Sequence, residues 1–311
     1  MNKTSLTKHK SNYNYWGFGL NISSEIEFPE LLPSEFDKAD VTIVLGKMPF
    51  HNESTLNHRK HIFHLLNETE LTFEVKNVAR YYATNGNSII IEPDINSTEM
   101  RSVRLFVLAT VMAAILLQRD LLPFHASAII RDDRLLLITG DSGAGKSTLT
   151  AGLIKKGYTI FSDDVVVLQK NGSGDILATA SYPMIKLWND TLNNLQHEMF
   201  NDRSFLVRPG MDKYGIFFHN SFNKKSYPID KIIVLKKGEG TELKIRELSG
   251  GEAFVAVNEQ VYRAKLLKGD NLKHIRFGVI TGLLKTSKVY EITRPAGETR
   301  EQLLLHLEGL L

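Results

Sequence analysis

Short apolar blocks with a period of two dominate the hydrophobic pattern, and helical stripes are few. Residues 13–22, 41–45, 71–75, 80–83 and 88–91 are runs rich in β-branched and aromatic residues, which predicts strands, and the proline-bounded stretch 29–33 predicts a connecting turn. Asn85-Gly86 lies between two of these runs and predicts a tight hairpin, because both residues tolerate positive φ. A capping signal over residues 96–99 then opens a long helix that runs to about Gln118. Its stretch 105–117 is apolar apart from Thr110 and falls short of the ~20 residues of a membrane span, so a helix buried in the core is the expectation.

Farther along, strand and helix patterns alternate. Residues 122–130 predict one strand with His125 near its start, 131–134 a polar turn, and 135–139 a buried strand. A helix opens on Lys146, Ser147 and Thr148, and Gly157 ends it. A strand over 158–162 delivers Asp163 and Asp164; 165–169 stays extended and 171–175 turns. Residues 182–188 carry Lys186, 189–200 look helical, and 201–214 form a polar loop with Arg203, Arg208 and Lys213. A strand over 232–236 follows, then a helical stretch from Gly250 through Tyr262 and Arg263, and an amphipathic helix from about Glu298. The division this implies is a smaller α+β module, residues 1–96, for recognition or scaffolding, and an α/β catalytic domain, residues 97–311. There is no internal repeat and no low-complexity tract.

Composition narrows the classes. The 311 residues are enough for about two cores. A hydrophobic fraction of 42% with 23% charged residues is that of a soluble globular protein. A net charge of +3 without clustered Lys and Arg gives no case for nucleic acid, and no apolar run calls for a membrane or a secretory signal. Cysteine is absent, which excludes disulfides, thiolate metal sites and cysteine nucleophiles and fits a reducing cytoplasm.

The candidate chemistry centres on residues 135–153, LLLITGDSGAGKSTLTAGL. The spacing G-x-x-x-x-G-K-S is that of a phosphate-binding loop: Gly140, Gly143 and Gly145 let the backbone between them, with Asp141, Ser142 and Ala144, curl its amides around one anion. The helix that follows adds its unpaired amides and positive dipole end, Thr148 included. Lys146 reaches the outer phosphates, and the Ser147 hydroxyl can ligate Mg²⁺. Phosphoryl transfer also needs a second metal ligand, cations for the moving charge and an acceptor for the nucleophile's proton. Asp163 and Asp164 supply the carboxylates, and neighbours on a strand point to opposite sides, so one faces the phosphates and the other orients the loop or metal. His125 is the natural partner of the acceptor. Lys186, Arg208, Lys213 and Arg263 are the cations for a phosphate or for an acceptor's carboxylate, which suits an Arg fork.

Four histidines, His51, His58, His61 and His64, suggest a metal site at first glance. On a helix a spacing of three turns successive residues by about −60°, so the outer pair of the last three diverges by roughly 120°, and a solvated or partner-facing helix is the expectation.

The succession F-H-A-S-A, G-D-S-G-A-G-K-S-T-L and G-Y-x-x-x-S-D-D resembles the catalytic core of the HPr kinase/phosphorylase family, strongly over residues 120–170 and loosely beyond. The resemblance implies a P-loop kinase fold of the HPr kinase and phosphoenolpyruvate carboxykinase type, with ATP and Mg²⁺ as cofactors. It implies Asp163 as general base with His125 as its partner, Asp164 in support, and the metal on Ser147 and Asp164. Thr148 stands where bifunctional HPr kinases usually carry Glu. The segments Y-W-G-F-G-L (15–20) and P-E-L-L-P (29–33) are unlike their regulatory domain and similar to HPr-kinase-like proteins encoded with lasso peptides, which phosphorylate the terminal serine of a precursor peptide. That implies a cytoplasmic serine kinase whose partner is a peptide, with a homo-oligomer left open. The alternatives are an HPr-type protein kinase and a nucleotide-binding regulatory ATPase with no covalent product. A carboxykinase-like enzyme on a small acid would need a second metal site, for which there is no clear Lys/His pair.

Overall fold

The structure, a computed structural model, describes residues 12–49, 61–95, 99–141, 143–195, 197–240, 242–266, 268–295 and 303–304. His51, His58, Ser142, the capping residues 96–98 and most of the final helix lie outside the described residues.

Among them, the first part of the chain forms an eight-stranded sheet. Its strands are β1 (Tyr13–Gly17), β2 (Leu20–Ser24), β3 (Leu32–Pro33), β4 (Val41–Leu45), β5 (His61–Asn67), β6 (Glu70–Val75), β7 (Ala79–Thr84) and β8 (Ser88–Pro93), in the order β3-β1-β2-β4-β8-β7-β6-β5. The Asn85-Gly86 hairpin forms as expected, with φ of +53° and +65°. The run 13–22 is not one strand but a second tight hairpin, turned by Phe18 and Gly19 at φ +59° and +79°. The helix expected across the histidine cluster is replaced, over 61–67, by β5. Its pairing with β6, Phe63 opposite Phe73, supplies long-range hydrogen bonds that no local helix signal could outweigh.

Helix α1 (Met100–Leu117) follows, with a π-helical turn at Val107–Val111. It is long and apolar enough to match a short membrane span, but two-thirds of it is buried inside the protein, and it serves as a core helix. The Tyr81 hydroxyl donates to the Val103 carbonyl, and the Arg104 Nε–H is shared between both oxygens of buried Glu30 at 3.0 Å, so α1 is tied to the first sheet.

The remaining strands are β9 (Leu122–Phe124), β10 (Ser127–Arg131), β11 (Arg134–Gly140), β12 (Thr159–Ser162), β13 (Val166–Lys170), β14 (Ile176–Ala180), β15 (Met184–Trp188), β16 (Leu206–Arg208), β17 (Met211–Phe217), β18 (Tyr227–Lys237), β19 (Lys244–Leu248) and β20 (Lys288–Arg294). The helices among them are α2 (Lys146–Lys155), α3 (Asn189–Asn193), α4 (Gly250–Asn258) and α5 (Asp270–Thr286). The result is a mixed α/β protein with several sheets and few helices. The second sheet, nine-stranded among the described residues, runs β12-β10-β11-β18-β20-β19, while the first residues of β18 lead off through β14 to β13 and β9. β11, β18 and β20 are mutually parallel. In β11, Leu135 and Leu137 join the core shared with α5, whereas Leu136 and Ile138 pack with Leu149 and Leu153 of α2. Burial on both faces explains why this strand is uniformly apolar.

Other expectations are corrected. The strand 122–130 is broken, because β9 pairs with β13 while β10 pairs with β11 and β12, and His125 sits at the break. The helix over 189–200 shrinks to α3 and a 3₁₀ turn at Glu198–Phe200. Arg203 binds the Asn189 and Asn193 side chains there, and asparagine is a weak helix former. The loop 201–214 contains β16 and the start of β17, turned at Pro209-Gly210, with Gly210 at φ +76°. Helix α4 stops at Asn258, so Tyr262 and Arg263 lie beyond it, next to a bridge between Phe124 and Val261.

Candidate active site

The glycine loop expected to bind phosphate is clamped where β11 ends. A Cβ on Gly140 would lie 2.1 Å from the Leu235 carbonyl oxygen of β18, and its φ of +131° is open only to glycine. Gly143 at φ +78° and Gly145 at φ +102° then carry the backbone into α2. The first helical bond of α2 runs from the Leu149 N–H to the Gly145 carbonyl at 2.8 Å, and no side chain caps the helix. Its leading amides are therefore open to an anion. The Lys146 ammonium folds over the loop, donating to the carbonyls of Gly140 (2.7 Å) and Asp141 (3.2 Å). The Thr148 hydroxyl lies 3.1 Å from that of Thr191 and fastens α2 to α3.

His125 is joined to this loop by one residue. Its N–H donates to the Gln260 carbonyl at 2.8 Å, while the Gln260 side-chain oxygen accepts the Gly140 N–H at 3.1 Å. The Thr139 hydroxyl lies between the His125 carbonyl (2.7 Å) and the same Gln260 oxygen (2.6 Å). On the imidazole, Nδ1 is 2.8 Å from the Asp164 carbonyl oxygen. A carbonyl can only accept, so Nδ1 carries the hydrogen and the neutral ring keeps its lone pair on Nε2. Tyr262 stacks on the ring with centroids 5.7 Å apart.

The paired aspartates diverge. Asp163 is 3% exposed, and its carboxylate accepts from the Ser127 hydroxyl (2.6 Å) and the Lys186 N–H (2.9 Å), pinning β10 and β15 to the end of β12. Asp164 leaves the strand at φ +70° and opens outward, its side chain 27% exposed. One of its oxygens takes the Lys186 ammonium at 2.8 Å, and the other lies 3.6 Å from His125 Nδ1. Burial would raise the Asp164 pKa, but the Lys186 charge outweighs it, with help from His125, and holds the carboxyl well below its usual range. Burial would likewise discharge Lys186, and Asp164 reverses this, so the ammonium pKa stands well above normal. Lys146 is shifted down, chiefly by burial and against the charges of Asp164, Asp163 and Asp141, which places these groups in one electrostatic neighbourhood.

Of the expected cations, Lys186 lies at the centre of the site. The Lys213 ammonium sits 5.7 Å over the exposed Trp188 ring, with its charge felt by both Lys146 and Asp164. Arg263, at φ +54°, covers Tyr262 at 5.2 Å. Arg208 lies 5.9 Å over Phe106 of α1 instead. Magnesium takes hard oxygen donors and keeps water and phosphate oxygens in its shell, and the Ser147 hydroxyl and Asp164 carboxylate are donors of that kind. No cluster of three or more His, Asp or Glu able to hold a metal occurs among the described residues, so such an ion would be shared with a nucleotide's phosphates. Sequence reasoning missed Gln260, and it missed Lys237 and Arg294, which approach the loop glycines from β18 and β20. The signal for the last two was there: the apolar alternations Ile233-x-Leu235 and Ile292 each continue, in step, onto a cation.

No protein-family model matches the chain, and no curated protein matches it. Among solved structures, the HPr(Ser) kinase/phosphatase from Coxiella burnetii matches at 17% identity with a TM-score of 0.31, covering 60% of this chain and 90% of that one. Residue roles here rest on this chain's own geometry.

Proposed function

We propose that this chain is an ATP- and Mg²⁺-dependent kinase that transfers the γ-phosphoryl group to a serine hydroxyl of a peptide, in the cytoplasm. The observation that carries the reading is the Gln260 bridge, which fastens His125, through its backbone carbonyl, and the first glycine of a phosphate loop, through its side chain, to one residue. Loop amides and Lys146 hold the phosphates, and Ser147 with Asp164 would hold the metal, whose charge offsets that of the phosphates. The incoming hydroxyl gives its proton to His125 Nε2 as its oxygen bonds to the γ-phosphorus, and the bond from phosphorus to the ADP oxygen breaks. The Asp164 carboxylate at 3.6 Å stabilises the imidazolium that forms. Asp163, sealed by two hydrogen bonds, positions Lys186 and the strand ends. This moves the base role from Asp163 to His125 and Asp164. Lys213, whose charge reaches Lys146 and Asp164, and the exposed Arg263 beside Tyr262 suit the carboxylate of a peptide ending in serine, such as a lasso peptide precursor.

Incubation with γ-labelled ATP, Mg²⁺ and a peptide ending in Ser should move label to the peptide; label appearing only as inorganic phosphate would overturn the proposal. His125→Ala should keep nucleotide affinity and lose transfer by about 10²–10⁴-fold, the range of general-base contributions. Asp163→Ala should lower the melting temperature, because it leaves the buried Lys186 N–H and Ser127 hydroxyl without their acceptor. Loss of transfer in a fully stable Asp163→Asn protein would return the base role to Asp163.

A further inference from the structure

Two cations reach the phosphate loop from the neighbouring strands. Lys237 and Arg294 are register partners at the carboxyl ends of the parallel strands β18 and β20. Alternation puts them on the sheet face that carries Ile233, Leu235 and Ile292, the face covered by Leu149 and Leu153 of α2. The apolar column turns cationic level with the start of that helix. A Cβ added to Gly145 would lie 2.9 Å from Arg294 Nη1, and one added to Gly143 would lie 3.2 Å from Lys237 Nζ.

Glu291 is engaged by Lys236 at 2.6 Å and by Arg246, and among the described residues neither Lys237 nor Arg294 forms an ion pair. Arg294 Nε is buried without a hydrogen-bond partner. Adjacent like charges with a buried unpaired donor are costly, and an anion on the loop relieves both costs. With Lys146 they make three positive charges around one loop, more than a monophosphate can balance.

We propose that Lys237 and Arg294 are phosphate-chain ligands that make the loop selective for nucleoside di- and triphosphates over monophosphates. The inference rests on the nucleotide reading of the loop. Lys146 holds the outer phosphate, and the two strand-end cations hold the β-phosphate, which a monophosphate lacks, where the chain crosses Gly143 and Gly145.

The test is equilibrium binding to the full chain of ATP, ADP, AMP and inorganic tripolyphosphate across a salt series, with a thermal melt of every variant. Arg294→Met and Lys237→Met should each weaken ATP, ADP and tripolyphosphate by about 10-fold or more, as expected for a lost charge-assisted hydrogen bond. AMP should change much less, and the salt dependence of ATP binding should flatten. Arg294→Lys, which keeps the charge and loses the fork, should fall between. Should Arg294→Met fail to fold, Lys237→Met carries the same test. Folded variants that bind ATP and ADP as the parent does would overturn the inference and leave the nucleotide reading intact. A parent protein that binds none of the four would overturn the nucleotide reading itself.

Discussion

Lys186→Met tests the electrostatic centre of the site most directly. The side chain is 7% exposed and makes one ion pair, 2.8 Å to Asp164, whose own side chain is 27% exposed. Methionine replaces the stem and removes the charge. Breaking a fully buried pair costs about 3–5 kcal/mol, and losing a hydrogen bond to a charged group costs about 1.5–3 kcal/mol. Water can reach Asp164, so the lower range applies, about 2 kcal/mol. At ~2.1 cal/mol/K per residue, 311 residues convert this to a fall in Tm of about 3 °C. The partner variant is Asp164→Asn, since asparagine accepts the positive φ of +70°. A denaturant double-mutant cycle should return a coupling of about 1–2 kcal/mol. The sign of its pH dependence is fixed. Asp164 has a depressed folded pKa, so its contribution is complete above the ordinary carboxylate range and is lost as pH falls through the depressed value. Lys186 has a raised folded pKa, so its contribution is complete below the ordinary lysine range and is lost as pH rises through the raised value. The coupling should therefore be level from about pH 5 to 9. Additive single losses, or a coupling that disappears near pH 7, would refute the buried pair.

Gly140→Ala should be the most damaging change in the loop. Its Cβ would meet the Leu235 carbonyl at 2.1 Å, so β11 and β18 must part, and we expect a loss of more than about 3 kcal/mol in urea unfolding together with nucleotide affinity. Gln260→Leu keeps the backbone bond to the His125 N–H but removes the side-chain links to Thr139 and Gly140, and leaves the Gly140 N–H unpaired in a buried place. It should cost about 1–3 kcal/mol and lower kcat more than nucleotide affinity; parental kcat in a stable variant would show that the bridge does not position His125.

The glycine turn and helix start at 140–146 could be read from the chain because their features are local: three glycines, a lysine and a helix start within a few residues. The Asn85-Gly86 hairpin was legible for the same reason, while Phe18-Gly19 was missed because phenylalanine gives no hint of a positive φ. The divergence of Asp163 and Asp164 comes not from strand alternation, since β12 ends at Ser162, but from the positive φ of Asp164, and which of them would be sealed depended on Ser127 and Lys186, far away in the chain. Gln260 and Arg294 reach the loop from more than a hundred residues downstream, through a bridge and through parallel pairing that no periodicity announces. The histidine cluster misled because its spacing fits a helix, whereas β5 owes its form to β6.

One apolar cluster runs from Tyr15 and Phe18 in β1 and its turn, through α1, to Ile232 and Val289 of the second sheet. Phe18 donates its N–H to Ser181 and leans on Tyr182, whose ring lies beneath the Lys186 ammonium. Severing the chain after residue 96 would therefore strip oil-like surface from both fragments and disturb the ring beneath the Lys186 ammonium. A ligand gripped by the glycine loop adds its binding free energy to the shared interior, so the distant amino-terminal strands gain resistance to melting without touching it.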